Sequence, residues 1–288
     1  MPDPQRLLTT LRRAADAFRV TPGRKGHVIT LTDCDELLVA GDLHGHLDNF
    51  RILLKRADLG NRPRRHFVLQ EVIHGPFRYP SGGDKSHQLL DLVAALKVQF
   101  PRQVHFLLGN HELSQWTEQS IEKADEDLNT LFRDGVASAY GDPADEVYAA
   151  YLQLFAVAPL ALRTPNRVFL SHSLPSSKRV AKFDLAVLER EEFDEKDLVF
   201  GGTVHSLVWG RDTSLATATA LLQKVDADLL ITGHIPCDRG FEAPNERQLI
   251  LDSLGATGCC CLFPTDKPLT HADLLAHVTP LGNEPRRW

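Results

Sequence analysis

Short apolar runs alternate with amphipathic stretches over most of the chain. Glycines such as Gly41 and Gly109 directly follow some of these runs, and apolar residues at helical spacing follow the first two. This alternation of strand, turn and helix is typical of α/β proteins. The predicted strands are residues 37–40, 67–69, 104–108, 168–170, 229–231, 249–251 and 259–263. Because a short link joins the last two, they are predicted to pair as a β-hairpin or meander.

A different pattern fills residues 113–162. An acidic segment with helical character (TEQSIEKADEDLNTLF) is followed by a YGDP turn and by a second helical segment, EVYAAYLQLF. The pattern predicts a helical insertion within the α/β plan. Residues 1–35 are predicted to form an amphipathic N-terminal helix and a lead-in. Residues 36–288 are then one α/β domain, with sheets sandwiched by helices and a helical cap.

Composition and charge narrow the class of protein. Of the 288 residues, 43% are hydrophobic and 24% are charged, which is typical of soluble globular proteins and argues against disorder. The 32 basic and 38 acidic residues give a net charge of −6, so no nucleic-acid partner is expected. No apolar stretch approaches the roughly 18 residues of a membrane span, so no membrane partner is expected either.

The cysteines and the N-terminal sequence indicate the cellular compartment of the protein. The five cysteines contain no C-x-x-C pair, and three of them stand together as Cys259, Cys260 and Cys261. A disulfide framework is therefore not expected, and a reducing cytoplasm fits. The first residues lack the apolar core of a signal peptide. We expect a cytoplasmic protein, and the sequence leaves its oligomeric state open.

Metal-capable side chains stand at the ends of five predicted strands. They are Asp42, His44, Glu71, Asn110, His172 and His234. Each one alone also fits an ordinary role as a turn residue, a helix cap or a polar residue at a strand end. The carboxyl ends of strands in an open α/β sheet line one crevice, so together these side chains are expected to converge. Their mixed oxygen and nitrogen donors suit divalent Mn, Fe or Zn.

The motifs themselves resemble a known family. GDLHG at 41–45, GNHE at 109–112, SHS around His172 and TGHIP around His234 are similar to the ordered motifs of calcineurin-like metallophosphoesterases. The phosphoprotein phosphatase branch is indicated because Pro236 stands where broader members carry a second His. The likeness extends over roughly residues 37–262, including HSLVWGRD around Trp209. It implies a metallophosphoesterase-type β-sandwich flanked by helices.

The resemblance implies two divalent transition-metal ions, with manganese expected and iron or zinc as alternatives. Asp42 and His44 would hold the first ion, and the second would be held by Asn110, His172 and His234. An acidic residue of the second motif would bridge the ions. Two such cations lower the pKa of a trapped water and neutralise phosphoryl oxygens during in-line attack of the resulting hydroxide.

The same resemblance gives His111 a role distinct from that of the ligands. In the family, the His that follows the Asn ligand protonates the leaving oxygen, and His111 follows Asn110. The ordinary alternative is that His111 caps the helix that follows it.

The second motif departs from the family pattern GDxVDRG. Here the chain reads QEVIHGP, so Glu71 replaces the bridging Asp, and His74 stands where an acidic residue normally orients the catalytic His. The phosphate-binding Arg of the motif is missing. The insertion that follows supplies Arg78 and Asp84 as replacements for the lost Arg and the lost orienting residue. Arg211 in WGRD is the other candidate for binding phosphate.

Three functions fit these observations. The first is a dinuclear metal-dependent phosphomonoesterase that resembles protein serine/threonine phosphatases and acts on a phosphoprotein or a small phosphoester. The second is a hydrolase of dinucleoside polyphosphates or other small phosphoanhydrides, because enzymes of that kind share GDxHG and GNHE and also end the second motif in GP. The third is a catalytically weak or silent protein that binds metal or phosphate.

Overall fold

Twelve helices and fourteen strands are present in the computed structural model, which describes residues 3–123 and 125–282. The helices are α1 Pro4–Arg19, α2 Leu47–Ala57, α3 His87–Gln99, α4 Asn110–Thr117, α5 Leu128–Tyr140, α6 Ala144–Val157, α7 Ser177–Val180, α8 Leu185–Leu188, α9 Glu195–Leu198, α10 Thr203–Trp209, α11 Leu215–Lys224 and α12 His271–Ala276. The strands are β1 Arg24–Lys25, β2 Val28–Thr30, β3 Glu36–Asp42, β4 Arg65–Gln70, β5 Val104–Leu107, β6 Glu122–Lys123, β7 Glu126–Asp127, β8 Ala161–Arg163, β9 Val168–Ser171, β10 Leu229–Thr232, β11 Phe241–Asn245, β12 Gln248–Leu251, β13 Cys259–Pro264 and β14 Val278–Pro280.

Two sheets form the centre of the molecule. One has seven strands in the order β1-β2-β8-β9-β10-β12-β11, and the other has five in the order β14-β13-β3-β4-β5. In the five-stranded sheet β3, β4 and β5 run parallel, and in the seven-stranded sheet β9, β10 and β12 run parallel. Each parallel set therefore delivers its loops to one edge of its sheet.

The strands bury side chains on both faces, as strands enclosed between layers do. Along β3, Leu37 and Val39 belong to an inner core that also contains Leu170 and Ile231 of the other sheet. The alternate residue Leu38 faces an outer core formed with the helices. The period of two along β3 therefore builds a sandwich of sheets with helices outside. This confirms the predicted fold class.

The N-terminal segment packs onto the rest of the protein. Helix α1 begins after Asp3, whose carboxylate accepts from the backbone N–H groups of Gln5 and Arg6. The helix buries Leu8, Leu11 and other apolar residues against α3 and α6. Met1 and Pro2, at the start of the predicted helix, lie outside the described residues, as do residues 283–288 of the predicted domain.

The predicted hairpin between residues 249–251 and 259–263 is wrong. Strand β12 belongs to the seven-stranded sheet and β13 to the five-stranded sheet, where β13 pairs antiparallel with β3. The hairpin partner of β12 is the preceding strand β11. Most of β11 is exposed, so it carries no apolar pattern by which the sequence could reveal it.

The helical interpretation of TEQSIEKADEDLNTLF is also wrong in part. Helix α4 ends at Thr117 and is followed by Glu118 in a left-handed conformation. Strands β6 and β7 then form a small hairpin before α5 begins. Asp127 caps α5 by accepting from the N–H groups of Asn129 and Thr130, which fixes the start of that helix. Ala124 lies outside the described residues.

No helix in the described part of the chain combines the length and the apolar character that crossing a membrane requires.

Candidate active site

The predicted ligands meet where the two sheets adjoin. Asp42 ends β3, Glu71 directly follows β4, and Asn110 begins α4 after β5. His172 directly follows β9, and His234 lies two residues after β10. Parallel strands place their carboxyl ends side by side, so residues nearly 200 positions apart in sequence reach one site.

Several loops at this site have a left-handed backbone conformation. The φ angles of His44, Glu71, His74 and His234 are 42°, 46°, 59° and 68°. Such conformations cost about 1–3 kcal/mol each for residues with a Cβ, and they persist where the surrounding structure enforces them. Here they turn the side chain of each residue out of the direction that a continued strand would give it.

Hydrogen bonds fix the rings of two predicted metal ligands. His172 Nδ1 lies 3.1 Å from Gln70 Oε1, and the amide nitrogen of Gln70 donates to the Ala40 carbonyl. His172 therefore carries its proton on Nδ1 and presents the Nε2 lone pair to the site. His44 Nδ1 lies 2.8 Å from the Ile73 carbonyl, so His44 likewise presents Nε2.

The inner part of the cluster brings several acceptor atoms into contact. Asn110 Oδ1 lies 2.9 Å from His172 Nε2 and 2.7 Å from His234 Nδ1. His172 Nε2 also contacts Glu71 Oε2. With the His172 proton on Nδ1, the carboxylate, the amide oxygen and the ring nitrogen all direct lone pairs at one another. A bound cation would relieve this arrangement.

Two buried atoms of the cluster have no hydrogen-bond partner among the described residues: Glu71 Oε2 and His234 Nε2. Glu71 belongs to two groups of ligand atoms, one with His44 and His111 and the other with His172 and His234. Within each group, all the ligand atoms lie within 4.8 Å of one another. The orphaned acceptors and the shared carboxylate fit a pair of metal ions joined by Glu71.

Burial perturbs the acids and bases of the site in opposite directions. Burial raises the pKa of Glu71 to about 8, and it raises the pKa of Asp42 well above its ordinary value. Burial lowers the pKa of His172 and His234. The protein alone therefore favours the uncharged forms, and bound cations would favour the ionised carboxylates.

Asp42 lies close to the other ligands but has a different set of partners. Its carboxylate accepts from the backbone N–H of His234 at 2.9 Å, and one oxygen lies 3.8 Å from His172 Nδ1. It is buried at the end of β3. The structure thus places the six predicted ligands at the same junction of the sheets, although the carboxylate of Asp42 belongs to neither group of atoms that lie within 4.8 Å of one another.

His111 projects into the same space from the first turn of α4. Its Nε2 lies 3.2 Å from Glu71 Oε1, and its ring lies edge-on to that of His44. The side chain retains 17% of its exposure, which leaves it open to a molecule entering the site. Its other ring nitrogen, Nδ1, lies 2.8 Å from His74 Nδ1. An imidazole therefore contacts His111 at the position where the family pattern has an acidic residue.

Asp84 does not take up the orienting position. It is buried and accepts from the Gly75 N–H, the Ser86 N–H and the Ser86 hydroxyl. These bonds secure the loop that follows the altered second motif. The partner of His111 is His74, the residue that stands at the orienting position of the altered motif.

The two arginines predicted to bind phosphate lie in different surroundings. Arg78 donates to the Gly75 carbonyl and pairs with Asp84 at 3.5 Å and Glu126 at 3.8 Å. Arg211 is exposed, and its charge acts on Glu71 by lowering the pKa of that carboxyl. The charge of Arg211 therefore acts on the cluster, whereas Arg78 is engaged by two acids of its own.

Two supporting residues were missed by the sequence analysis. Gln70 orients His172, as described above. Glu112 of GNHE is fully buried and accepts from the backbone N–H groups of Val72, Ile73 and Gly109. It thereby ties the loop of the altered motif to the start of α4. Its place in a recognised motif was the signal that could have identified it.

Comparison with known proteins gives relatives that agree with this site. A probable serine/threonine-protein phosphatase of Encephalitozoon cuniculi is 23% identical over 279 residues, which cover 88% of this chain and 55% of that protein. Serine/threonine-protein phosphatase 7 of Arabidopsis thaliana is 29% identical over 147 residues, which cover 51% of this chain and 31% of that protein. The chain thus spans about half, or less, of the length of these curated relatives.

Solved structures share the fold. A protein serine/threonine phosphatase from Saccharomyces cerevisiae superposes with a TM-score of 0.67 at 16% identity, covering 91% of this chain and 82% of that chain. A cold-active protein-tyrosine phosphatase of a Shewanella species superposes with a TM-score of 0.59 at 16% identity, covering 86% and 78%.

The family itself is settled by a broader match. A model of the calcineurin-like phosphoesterases matches residues 36–238, which contain all six predicted ligands. With the phosphatases among its relatives, this match confirms the resemblance to the phosphoprotein phosphatase branch. The chain belongs to the calcineurin-like phosphoesterase family.

Proposed function

We propose that this protein is a dinuclear metal-dependent phosphomonoesterase. The observation that carries the proposal is the cluster at the junction of the sheets, in which Glu71 is shared between two groups of ligand atoms. The proposed ligands of one ion are Asp42 and His44, and those of the other are Asn110, His172 and His234. Glu71 would bridge them. We keep manganese as the expected ion, with iron or zinc as alternatives.

The donor set supports a divalent transition metal. Its imidazoles, carboxylates and amide oxygen are borderline and hard donors, and cysteine is not among them. When bound, the two ions would lower the pKa of a water and neutralise charge on the phosphoryl oxygens. The chain itself supplies orientation, since Gln70 and the Ile73 carbonyl set the tautomers of His172 and His44.

His111 is proposed to supply the proton for the leaving group. Water that has released one proton to solvent attacks phosphorus as hydroxide, and the bond from phosphorus to the ester oxygen breaks. The Nε2 proton of cationic His111 passes to that oxygen, which leaves as the alcohol, and His111 becomes neutral. The geometry supports this role because Nε2 faces Glu71 Oε1 within the proposed ligand cluster, while Nδ1 is engaged by His74. Arg211 is proposed to hold a phosphoryl oxygen through charge-assisted hydrogen bonds.

The proposed substrate is a phosphorylated protein or a small phosphoester. The phosphatases among the relatives support this class, and the serine/threonine phosphatase of S. cerevisiae supports a protein substrate in particular. The five free, buried cysteines agree with a reducing compartment, and we propose that the protein acts in the cytoplasm.

The test combines metal content with hydrolysis. Purified protein incubated with manganese should retain about two ions per chain by elemental analysis and should hydrolyse nitrophenyl phosphate. A protein that retains both ions but hydrolyses neither this ester, a phosphopeptide nor a dinucleoside polyphosphate is a binding protein, and the proposal is then wrong. Activity on the polyphosphate alone would assign the chain to phosphoanhydride hydrolysis.

His111→Ala tests the assignment of the proton donor. The variant should retain both ions and lose about 10²-fold or more in turnover of an alkyl phosphate. The loss should be smaller for nitrophenyl phosphate, whose leaving group hardly needs a proton. Equal losses for the two esters would contradict a role for His111 as the acid.

A further inference from the structure

A chain of hydrogen bonds leads from His111 away from the metal cluster. His111 Nδ1 lies 2.8 Å from His74 Nδ1, and His74 Nε2 lies 2.8 Å from Gln115 Oε1. The amide nitrogen of Gln115 donates to the Tyr148 hydroxyl at 2.6 Å and to the Asn129 carbonyl at 3.4 Å. Four elements take part, namely the loop after β4 and the helices α4, α5 and α6.

The hydrogen bonds of Gln115, at the end of this hydrogen-bond chain farthest from His111, determine which group donates in each bond. The Asn129 carbonyl is a backbone oxygen and can only accept, so the group of Gln115 that faces it must be the amide nitrogen. The amide oxygen of Gln115 then faces His74. Because that oxygen can only accept, the proton of the neutral His74 ring is on Nε2.

The same logic continues to His111. A neutral His74 with its proton on Nε2 has a lone pair on Nδ1, so Nδ1 must accept. The nitrogen that faces it is His111 Nδ1, which therefore carries a proton. His111 is left with Nε2 directed at Glu71 and the proposed ligand cluster. Nε2 is thus the nitrogen that faces the site where the leaving oxygen is proposed to bind.

The chain is enclosed, so water does not compete for its bonds. Gln115 is 1% exposed and His74 is 7% exposed. The His74 backbone N–H donates to the Ser86 hydroxyl, and its ring packs edge-on to Phe132 of α5. His74 therefore has one ring position available to it, and the identity of residue 115 decides which of its nitrogens carries the proton.

We infer that Gln115 is a positioning residue that sets the tautomer of His74 and, through it, keeps the Nδ1 proton on His111. The inference rests on the proposed function, in which His111 Nε2 gives its proton to the leaving oxygen. After that transfer His111 is neutral with its proton on Nδ1, the tautomer that the chain favours. Two neutral side chains thus replace the orienting carboxylate that the family pattern has beside this His.

Gln115→Met tests the inference, because methionine keeps the shape of the side chain and removes both polar groups. Turnover of an alkyl phosphate should fall roughly 10-fold, the scale at which orienting partners act, while metal content stays the same. Tyr148→Phe should lose less, because the Asn129 carbonyl still orients the amide. Thr117→Val is the matched control on α4 and should retain wild-type turnover. Among the described residues, the Thr117 hydroxyl bonds only to the Leu113 carbonyl of its own helix.

A double variant separates positioning from general damage. In a His111→Ala background Gln115→Met should cause no further loss, because the residue through which Gln115 acts is gone. Nitrophenyl phosphate is the substrate for this comparison, since it leaves a measurable rate. The same fractional loss in both backgrounds would overturn the inference.

A spectroscopic signature tests the tautomers without relying on turnover. In zinc-loaded protein with ¹⁵N-labelled histidine, His111 Nδ1 and His74 Nε2 should show the shifts of protonated nitrogens. In Gln115→Met the His74 pair should move toward an average of the two tautomers. A wild-type spectrum with an unprotonated His111 Nδ1 would refute the inference. If the wild-type protein hydrolyses no phosphoester, the proposed function fails and this spectrum still decides the tautomers.

Discussion

Glu71 combines burial, a left-handed backbone and contacts to two imidazoles. It is 1% exposed, its backbone is left-handed, and its carboxylate contacts both His111 and His172. It also has one more methylene than the Asp that the family pattern places there. The longer side chain and the left-handed backbone together bring the carboxylate into contact with both imidazoles.

Removing the charge of Glu71 should release metal. Glu71→Gln keeps the size of the side chain but removes the anionic charge that two cations would share, so we expect loss of at least one ion per chain. Elemental analysis after desalting measures this. The control is Glu36→Gln, at the far end of β3, where the carboxylate pairs with Arg65 and is remote from the site. Full metal content in Glu71→Gln would show that the residue is not a bridge.

Alanine variants of the two arginines should differ in substrate binding and turnover. Arg211 forms no ion pair with another described residue and acts electrostatically on Glu71, whereas Arg78 pairs with Asp84 and Glu126. Arg211→Ala should therefore weaken substrate binding and turnover by about 10-fold or more without loss of metal. Arg78→Ala should have a smaller effect.

Steady-state kinetics together with elemental analysis tests this pair. Crystals soaked with tungstate provide the direct view of which guanidinium contacts a bound anion. A larger loss in Arg78→Ala than in Arg211→Ala would reverse the assignment.

The sequence could predict the six proposed ligands because each stands beside a recognisable strand end. It could not identify Gln70 or Gln115 as supporting residues, because a glutamine has no distinctive pattern and its role depends on which atoms the fold places opposite it. His74 could be located by alignment with the motif. The chemistry of its partner could not be inferred in that way.

Helix α5 and the loop after the altered motif approach each other at a glycine. A Cβ on Gly135, built on the existing backbone, would lie 1.8 Å from the Asp84 carbonyl oxygen, and one on Gly83 would lie 2.5 Å from the Gly135 nitrogen. The helix and the loop are therefore in contact through their backbones. The hydrogen bond from the Asp84 N–H to the Leu131 carbonyl lies in the same contact.

Gly135→Ala should destabilise the protein even though alanine favours a helix by about 1 kcal/mol over glycine. The added methyl group would force the loop that carries Asp84 away from α5. We expect the free energy of unfolding in urea to fall by roughly 1–3 kcal/mol, the usual cost of overpacking. The control is Ala137→Gly on the exposed face of α5, whose cost should be helix propensity alone. A stabilised Gly135→Ala variant would contradict the close contact.

Helices and strands with a strong apolar periodicity could be predicted from the sequence. An exposed strand and the choice of sheet for another strand could not. The apolar stripes of α2, α3 and α6 and the apolar runs of β3 and β9 were visible. Strand β11 was missed because an exposed edge strand has no buried face to produce a pattern. The pairing of β13 was mispredicted because proximity in sequence does not specify which sheet a strand joins.

Lys97 ties three parts of the molecule together from within. Its ammonium group donates to the Thr21 hydroxyl and to the carbonyls of Pro101 and Val104, and it lies 4.7 Å from the centre of the Phe18 ring. It is fully buried. Burial and, to a lesser extent, the nearby charge of Arg24 lower the pKa of Lys97 to about 7.

The stability of the whole protein should consequently depend on pH above neutrality. Between pH 7 and the ordinary lysine pKa of about 10.4, the unfolded chain holds a proton that folded Lys97 has released. More protons bound to the unfolded state means that the free energy of unfolding rises with pH, by at most about 1.4 kcal/mol per unit. Urea unfolding of wild type and Lys97→Met at pH 7, 8 and 9 isolates this contribution. The difference between the two proteins should grow in favour of wild type as pH increases, and a constant difference would contradict it.

The site also lies on the joint between the two sheets. Asp42, Glu71 and Asn110 come from one sheet, and His172 and His234 come from the other. At the same joint the backbones of Asp42 and Asp252 form a bridge. Because the cluster takes its donor atoms from both sheets, the distances between those atoms depend on how the two sheets are packed. The donor atoms keep their spacing only while the inner core holds the sheets in register. Metal affinity in this protein should therefore report on packing far from the ions, so that weakened metal binding by itself does not identify a ligand.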